Sequence, residues 1–520
     1  MKHHRPHPAR GQSQFDEQAL IPQLAMPLSD TVQQNESNLR GILSGASDAV
    51  FRTIRANGSH PLLVVYVDGL VDSKQLEEAV LQPCLQDETP RTPGTAENAL
   101  DHVAGLIAVG DIKRAKTFGH LVHALLNGSA AVIVHGCSEA LLANLPGWET
   151  RAIEEASSES GIRGPREGFT ESLRTNTSMI RRRLRTPLLK MELVTLGRIS
   201  RTNIVITYVD GVVDRTVLQE AKRRISAMQV DMVLDSHYVE DFIEDVSWSP
   251  FPQVLNTERP DVVAASLFEG KVGILVDGSP HTLIVPMTLW SGLQSSEDYY
   301  ERSVFSSPIR WLRYFLLFVA VTITPTYIAL TTFHPEMLPT NLLLNFAAAR
   351  EPSPVPTAIE ALVMDLLFEG LREAGVRLPR NVGPAVSIVG GLVLGQAAVD
   401  AGIVSAPVVI VVAASGVASF TIPRYSFSFS FRLLRFPVLL LASVLGLYGI
   451  TVSFLAILIH QVNLESFGVP YMSPVAPWSP GRWRDVILPS ARRSSMVDTA
   501  IPDVPSGSTA VHRNEREGHE

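Results

Sequence analysis

The sequence predicts a chain of two kinds, an N-terminal half made of two duplicated α/β units and a C-terminal half that is an α-helical, polytopic transmembrane domain. Three observations carry this. Charges recur every few positions over roughly the first 300 residues, whereas long apolar runs begin after Trp311. Two strand-like runs share one pattern, Leu62 to Asp72 and Ile204 to Asp214, with Tyr66 on Tyr208 and Asp68 on Asp210 at an offset of 142 residues. The same offset carries Val132-Ile133-Val134-His135-Gly136 onto Ile274-Leu275-Val276-Asp277-Gly278.

Each duplicated unit starts with a β-branched run that reads as a buried strand. An Asp-Gly turn and a helical stretch follow, Ser73–Leu81 in one unit and Thr216–Met228 in the other. Glycine supplies the positive φ of such a turn and aspartate can bond its own backbone, so Asp68 and Asp210 have a structural role at hand. They also stand at strand ends, where paired α/β units hold ligands, which makes them the ligand-binding candidates of this half. The boundaries expected are a disordered or linker tail at 1–44, units at 45–150 and 188–300, and a helical linker at 151–187. That linker carries Arg181-Arg182-Arg183, a run suited to a solvated helix face, anionic lipid or an acidic neighbour. Glu240, Asp241, Glu244 and Asp245 read as a solvated helix face.

The helical domain is expected at 301–470, with a largely disordered tail at 471–520. Tyr314–Phe333, Ala385–Ile403, Val408–Ile422 and Phe436–Val462 are long and poor in charge, and read as four spans. Pro356 to Gly375 is ambiguous because Asp365, Glu369 and Arg372 form one charged stripe on a helix, with Glu360 well away from it. The stripe fits an interfacial helix, or a span whose charges face a polar interior; the second gives five spans, a tail outside, and Arg424, Arg432 and Arg435 in a cytoplasmic loop. On the second reading Asp365, Glu369 and Arg372 are the candidate pore lining. Gly391 and Gly395 have the spacing that lets helices approach closely.

A net charge of −8 excludes a basic nucleic-acid binder. Cys84 and Cys137 are too few for a disulfide framework, and no P-loop, nucleophile elbow or metal-ligand spacing occurs, so neither catalytic residues, metal nor cofactor is expected. The basic stretch Met1–Arg10 lacks a following apolar region, which places the N-terminal half on the cytoplasmic side.

Several distinctive stretches follow one another between about Asn38 and Pro489. They include Arg163-Gly164-Pro165-Arg166-Glu167-Gly168-Phe169, Leu173-Arg174-Thr175-Asn176-Thr177, Ser249-Pro250-Phe251-Pro252 and Thr257-Glu258-Arg259-Pro260-Asp261. In the second half they include Thr331-Thr332-Phe333-His334-Pro335-Glu336-Met337, Leu371 to Pro379 and Ser466-Phe467-Gly468-Val469-Pro470-Tyr471. Together, in this order, they resemble the A subunit of the GerA-type spore germination receptor. The resemblance implies a multi-pass protein of the spore inner membrane, oligomeric, and forming a ligand-gated ion channel. It implies two partners, a permease-like B subunit that binds nutrient and a C subunit that is a lipoprotein. Two other readings stay open, a non-conducting scaffold that clusters receptor subunits and the related subunit of the dipicolinate-release machinery. His135 departs from the aspartate expected opposite Asp277, and Leu85–Ala104 is longer than the family pattern.

Overall fold

The computed structural model describes residues 21–54, 61–86, 96–147, 156, 159, 163–377, 393, 395–479 and 483–489. It divides into two compact units, one built from the chain up to Glu244 together with Val254–Pro286, the other from Asp245–Gln253 and from Met287 onward.

The first unit holds two five-stranded sheets of identical strand order. Strands β1 (Ala49–Ile54), β2 (Leu62–Val67), β3 (Ile112–Ala115), β4 (Ser129–Val134) and β5 (Ala140–Asn144) lie in the order β1-β2-β4-β5-β3. Strands β6 (Leu189–Leu196), β7 (Thr202–Val209), β8 (Leu255–Thr257), β9 (Val272–Val276) and β10 (Thr282–Val285) repeat it as β6-β7-β9-β10-β8. All these pairings are antiparallel. The continuous apolar runs arise because both sheet faces are covered, so neither parity of residue can be polar. Leu63, Val65, Ala131 and Ile133 face Leu39 and Ile42 of α1 (Val32–Ile42) together with Phe118, Leu121 and Leu125. Leu62, Val64, Val132 and Val134 face Leu76, Val80, Leu100 and Val103 on the other side. Burial of each such side chain contributes about 1.5–3 kcal/mol.

Two boundaries expected from the sequence are corrected. Residues 21–44 are not a tail: α1 buries Val32, Leu39 and Ile42 in the core of the first repeat. The helix within 151–187, α2 (Leu173–Arg183), is not a linker but the matching element of the second repeat, and seven of its residues are buried. The same side-chain clamp marks both. Asn35 accepts from the Ser29 backbone N–H at 2.8 Å and donates to its carbonyl at 2.7 Å. Asn176 does this to Thr170 at 2.8 and 2.5 Å. Each lead-in then accepts from a glycine of the sheet, Gly136 N–H to Asp30 O at 2.7 Å and Gly278 N–H to Glu171 O at 2.9 Å. The arginine run turns inward rather than outward: Arg181 holds Asp48 with two parallel bonds of 2.9 and 2.8 Å, and Arg183 pairs with Glu167 at 2.7 Å.

The second unit is a helical bundle of α3 (Ser303–Thr332), α4 (Thr340–Arg350), α5 (Thr357–Arg377), α6 (Ala406–Ser419), α7 (Tyr425–Leu445) and α8 (Leu447–Asn463). Helices α3 and α7 are long and apolar enough to cross a membrane, with mean hydropathy 1.8 and 1.6, and α6 and α8 are shorter apolar helices. Phe436–Val462 is two elements, not the one span expected. Gly446 breaks it at φ 62°, ψ −140°, a conformation open to glycine, and Gly449 allows α8 to touch the α7 backbone at Leu441. Hydropathy averaging cannot register a break that depends on one φ angle.

The contacts define two ends. At the proximal end the first half of α3 meets residues 485–487, with Trp311 Nε1 donating to Ile487 O at 2.8 Å and Tyr314 Oη to Val486 O at 2.7 Å. Phe427 near the start of α7 lies against Met287 and Gly292, and His460 near the end of α8 meets Ser249 at 2.9 Å. At the distal end Gly446 lies against Phe333 and His334. Residues 483–487 therefore sit at the end of the bundle where α3 begins. The 464–472 stretch is likewise built into this unit, as Tyr471 and Ser466 are fully buried.

Candidate functional site

The charged stripe on α5 is turned into the bundle and meets a second stripe that the sequence reading misplaced. Asp365 and Glu369 are one turn apart, as are Arg432 and Arg435 on α7, so each pair presents two charges on one helix face. Arg432 and Arg435, expected in a loop, lie inside α7 and are buried. Arg432 Nη1 reaches Glu369 Oε2 at 2.8 Å, Arg435 Nη2 reaches Glu369 Oε1 at 3.5 Å, and Arg435 Nε lies 3.3 Å from Asp365 Oδ2. The signal was present in the sequence as two arginines three apart before Phe436-Pro437-Val438, but starting the span at the first uncharged residue put them outside it.

Hydroxyls extend the network. Arg435 Nη1 donates to Ser415 Oγ of α6 at 2.8 Å, and Ser415 donates to the Ala320 carbonyl of α3 at 2.8 Å. Toward the proximal end Arg372 donates to Ser419 Oγ at 3.0 Å and lies 4.2 Å from the Phe420 ring centroid. Toward the distal end Glu360 accepts from both the backbone N–H and the hydroxyl of Ser405, at 2.9 and 2.8 Å. From Glu360 to Arg372 the polar path covers about 18 Å of helix.

Asp365 is 0% and Arg435 1% exposed, so both charges lie in low dielectric and depend on each other. Their pairing is incomplete: among the described residues neither Asp365 oxygen and no Arg435 Nε hydrogen bond meets linear geometry, and Arg432 Nε and Glu360 Oε1 are also buried without a hydrogen-bond partner. Two acids and three arginines share this layer, and Glu369 reaches both Arg432 and Arg435.

The other candidates are placed as follows. Asp68 and Asp210 precede Gly69 and Gly211, both at φ 83°, as the Asp-Gly turns require. Asp68 pairs with Arg174 at 2.7 Å and Asp210 caps the Gly211 N–H at 3.1 Å, so the structure engages both in local geometry. Gly395 approaches Val409, while Gly391 lies outside the described residues. Among the described residues no group of three or more His, Cys, Asp or Glu side chains could hold a metal ion.

Comparison with known proteins follows the same span. The chain is 44% identical over 462 residues to "Uncharacterized membrane protein YfkQ" of Bacillus subtilis, covering 89% of each chain. It is 42% identical to "Spore germination protein KA" of Bacillus subtilis, covering 89% of this chain and 85% of that one. It is 37% identical to "Spore germination protein GerLA" of Bacillus cereus, covering 86% and 91%. A crystal structure of the N-terminal domain of the A subunit of the Bacillus megaterium spore germinant receptor GerK3 is 30% identical, covering 50% of this chain and 96% of that one at a TM-score of 0.39. Residues 37–497 match the family described as Bacillus/Clostridium GerA spore germination protein, and with relatives alike over nearly their full length the chain belongs to that family.

Proposed function

We propose that this chain is a non-enzymatic A subunit of a nutrient-responsive spore germination receptor, and that its helical unit, as an oligomer, passes ions when a germinant is sensed. The partners in this reading are a permease-like, nutrient-binding B subunit and a lipoprotein C subunit. The bundle spans the spore inner membrane, with the N-terminal unit on the core side. Exposed Trp248, Trp311, Tyr425 and Trp478 all lie toward the proximal end, and such rings settle at headgroup level, which supports a bilayer boundary there.

The observation that carries the reading is the layer of Asp365, Glu369, Arg432 and Arg435 inside an apolar bundle. Charges at that depth are costly and mark ion pathways or switches. In the conformation described, Arg432 and Arg435 of the same chain stand against both acids, which this reading takes as the closed state. Opening would release Asp365, Glu369 and Arg372 to line a polar path, since rings of charged side chains can select ions. The test is a chain carrying Asp365→Asn and Glu369→Gln in spores given nutrient. Loss of ion release from receptors present at normal level is expected; unchanged release and selectivity would overturn the reading. Liposomes bearing the purified chain separate it from a scaffold, which passes no ions in any oligomeric state.

A further inference from the structure

Two stretches that the charged layer does not use, Ser249-Pro250-Phe251-Pro252 and Ser466-Phe467-Gly468-Val469-Pro470-Tyr471, are joined to each other in the helical unit. After α8 the chain forms a two-residue hairpin, β11 (Glu465–Ser466) with β12 (Val469–Pro470). Its turn has Phe467 at φ 51° and Gly468 at φ 77°, the pair of positive angles of a tight hairpin turn. A phenylalanine seldom adopts that conformation, and here Asp245 Oδ2 accepts from its backbone N–H at 2.9 Å.

The hairpin grips both connectors that lead to and from the sheet unit. The Ser466 hydroxyl donates to Gln253 O at 2.7 Å and accepts from Met287 N–H at 3.1 Å. Tyr471 Oη donates to Pro252 O at 3.0 Å, and its carbonyl accepts from Leu289 N–H at 2.9 Å. Gln253 closes its own loop, accepting from Asp245 and Val246 N–H at 3.1 and 3.0 Å. Phe251 then stacks within 6.0 Å of His460 in α8 and 5.6 Å of Phe431 in α7, the residue before Arg432.

Connectivity gives this clasp a direction. Residues 245–253 run into β8 and residues 287–289 follow β10, and β8 and β10 are paired neighbours. The continuations of both strands meet at one buried hydroxyl, Ser466, and Phe251 of the first lies against α7 and α8. We propose that this clasp is the coupling element between the sheet unit and the charged layer, with Asp245, Ser466 and Tyr471 as positioning residues that must rearrange when the receptor responds. This rests on the germination-receptor reading above.

The experiment fixes the clasp in the form described. Asp245→Cys and Phe467→Cys put thiols on the two residues joined by this contact, with formation of the disulfide verified by mass before the assay, and the native Cys84 and Cys137 are buried. Spores carrying the full chain receive a mixture of L-amino acids, purine nucleosides and glucose, before and after dithiothreitol. The expected result is no ion release in the oxidised form and recovery on reduction. Equal release in both forms overturns the coupling role but leaves the receptor reading standing. No release in either form, where spores carrying the unsubstituted chain do respond, also overturns the coupling role; no release from the unsubstituted chain overturns the receptor reading. Tyr471→Phe, which removes one hydroxyl, is the gentler arm: the nutrient level for half-maximal release shifts about fivefold with the maximal rate kept. An unshifted response there also overturns the proposal.

Discussion

Both units of the molecule bury arginine–aspartate pairs, and one from each, Arg181–Asp48 and Arg435–Asp365, are built differently. Arg181 and Asp48 in the sheet unit form two parallel bonds, and Arg181 Nη1 also donates to the Leu189 carbonyl at 3.0 Å. Arg435 and Asp365 in the bundle meet at 3.3 Å, with both Asp365 oxygens lacking a hydrogen bond of good geometry. A buried pair in which each guanidinium nitrogen and both carboxylate oxygens are bonded holds one arrangement. A pair left partly unsatisfied among spare partners has a nearby alternative. The first ties the second repeat to the first; the second is suited to change.

The largest effect tests that contrast. Asp48→Ala strands the Arg181 charge, which is 1% exposed, and costs about 3–5 kcal/mol, enough to lower the melting temperature of the detergent-solubilised chain sharply or to prevent accumulation. Asp365→Asn leaves Arg435 with Glu369 and Ser415, so the chain accumulates and melts closer to wild type. Similar losses from both substitutions would erase the distinction.

How much of this was legible depends on what each feature requires. The strand repeat was visible because the buried β-branched runs are contiguous and keep one offset. It was lost at the lead-in helices because insertions shift the match: Asn35 falls on Asn176 at 141 residues, and Ala49 on Leu189 at 140. The β6–β7 pairing joins Leu189 to Val209, two residues wider than Ala49 to Val67 in β1–β2. Half of the charged layer was legible, since Asp365 and Glu369 lie on one stripe among apolar residues. Its other half, Arg432 and Arg435, was hidden by the practice of ending a span at its first charge.

The Asn35 and Asn176 clamps compare the repeats directly. Each asparagine closes a loop with two backbone bonds in a buried position, so either alanine substitution costs about 2 kcal/mol. Because both sit ahead of matching helices, the two losses should agree within a factor of two in denaturant unfolding. A tenfold disparity in the unfolding constant would mean that one repeat has lost the role the other keeps.

The effect that vanishes at low pH concerns Glu240, expected on a solvated face but largely buried on the helix Ser236–Ile243. Burial first, and then the Glu244 charge, push its carboxyl up to about 7, while His237 and Asn256 work in the opposite direction. The folded state thus holds its proton over a range in which the unfolded chain has released it. Stability is fully present below pH 4.5, falls as pH rises toward 7, and stays reduced above it. Glu240→Gln removes this dependence. Melting curves should coincide with wild type at low pH and show about 3 kcal/mol of added stability above neutrality. If the variant instead loses stability at high pH, the folded state stabilises the Glu240 anion and burial does not push its carboxyl up.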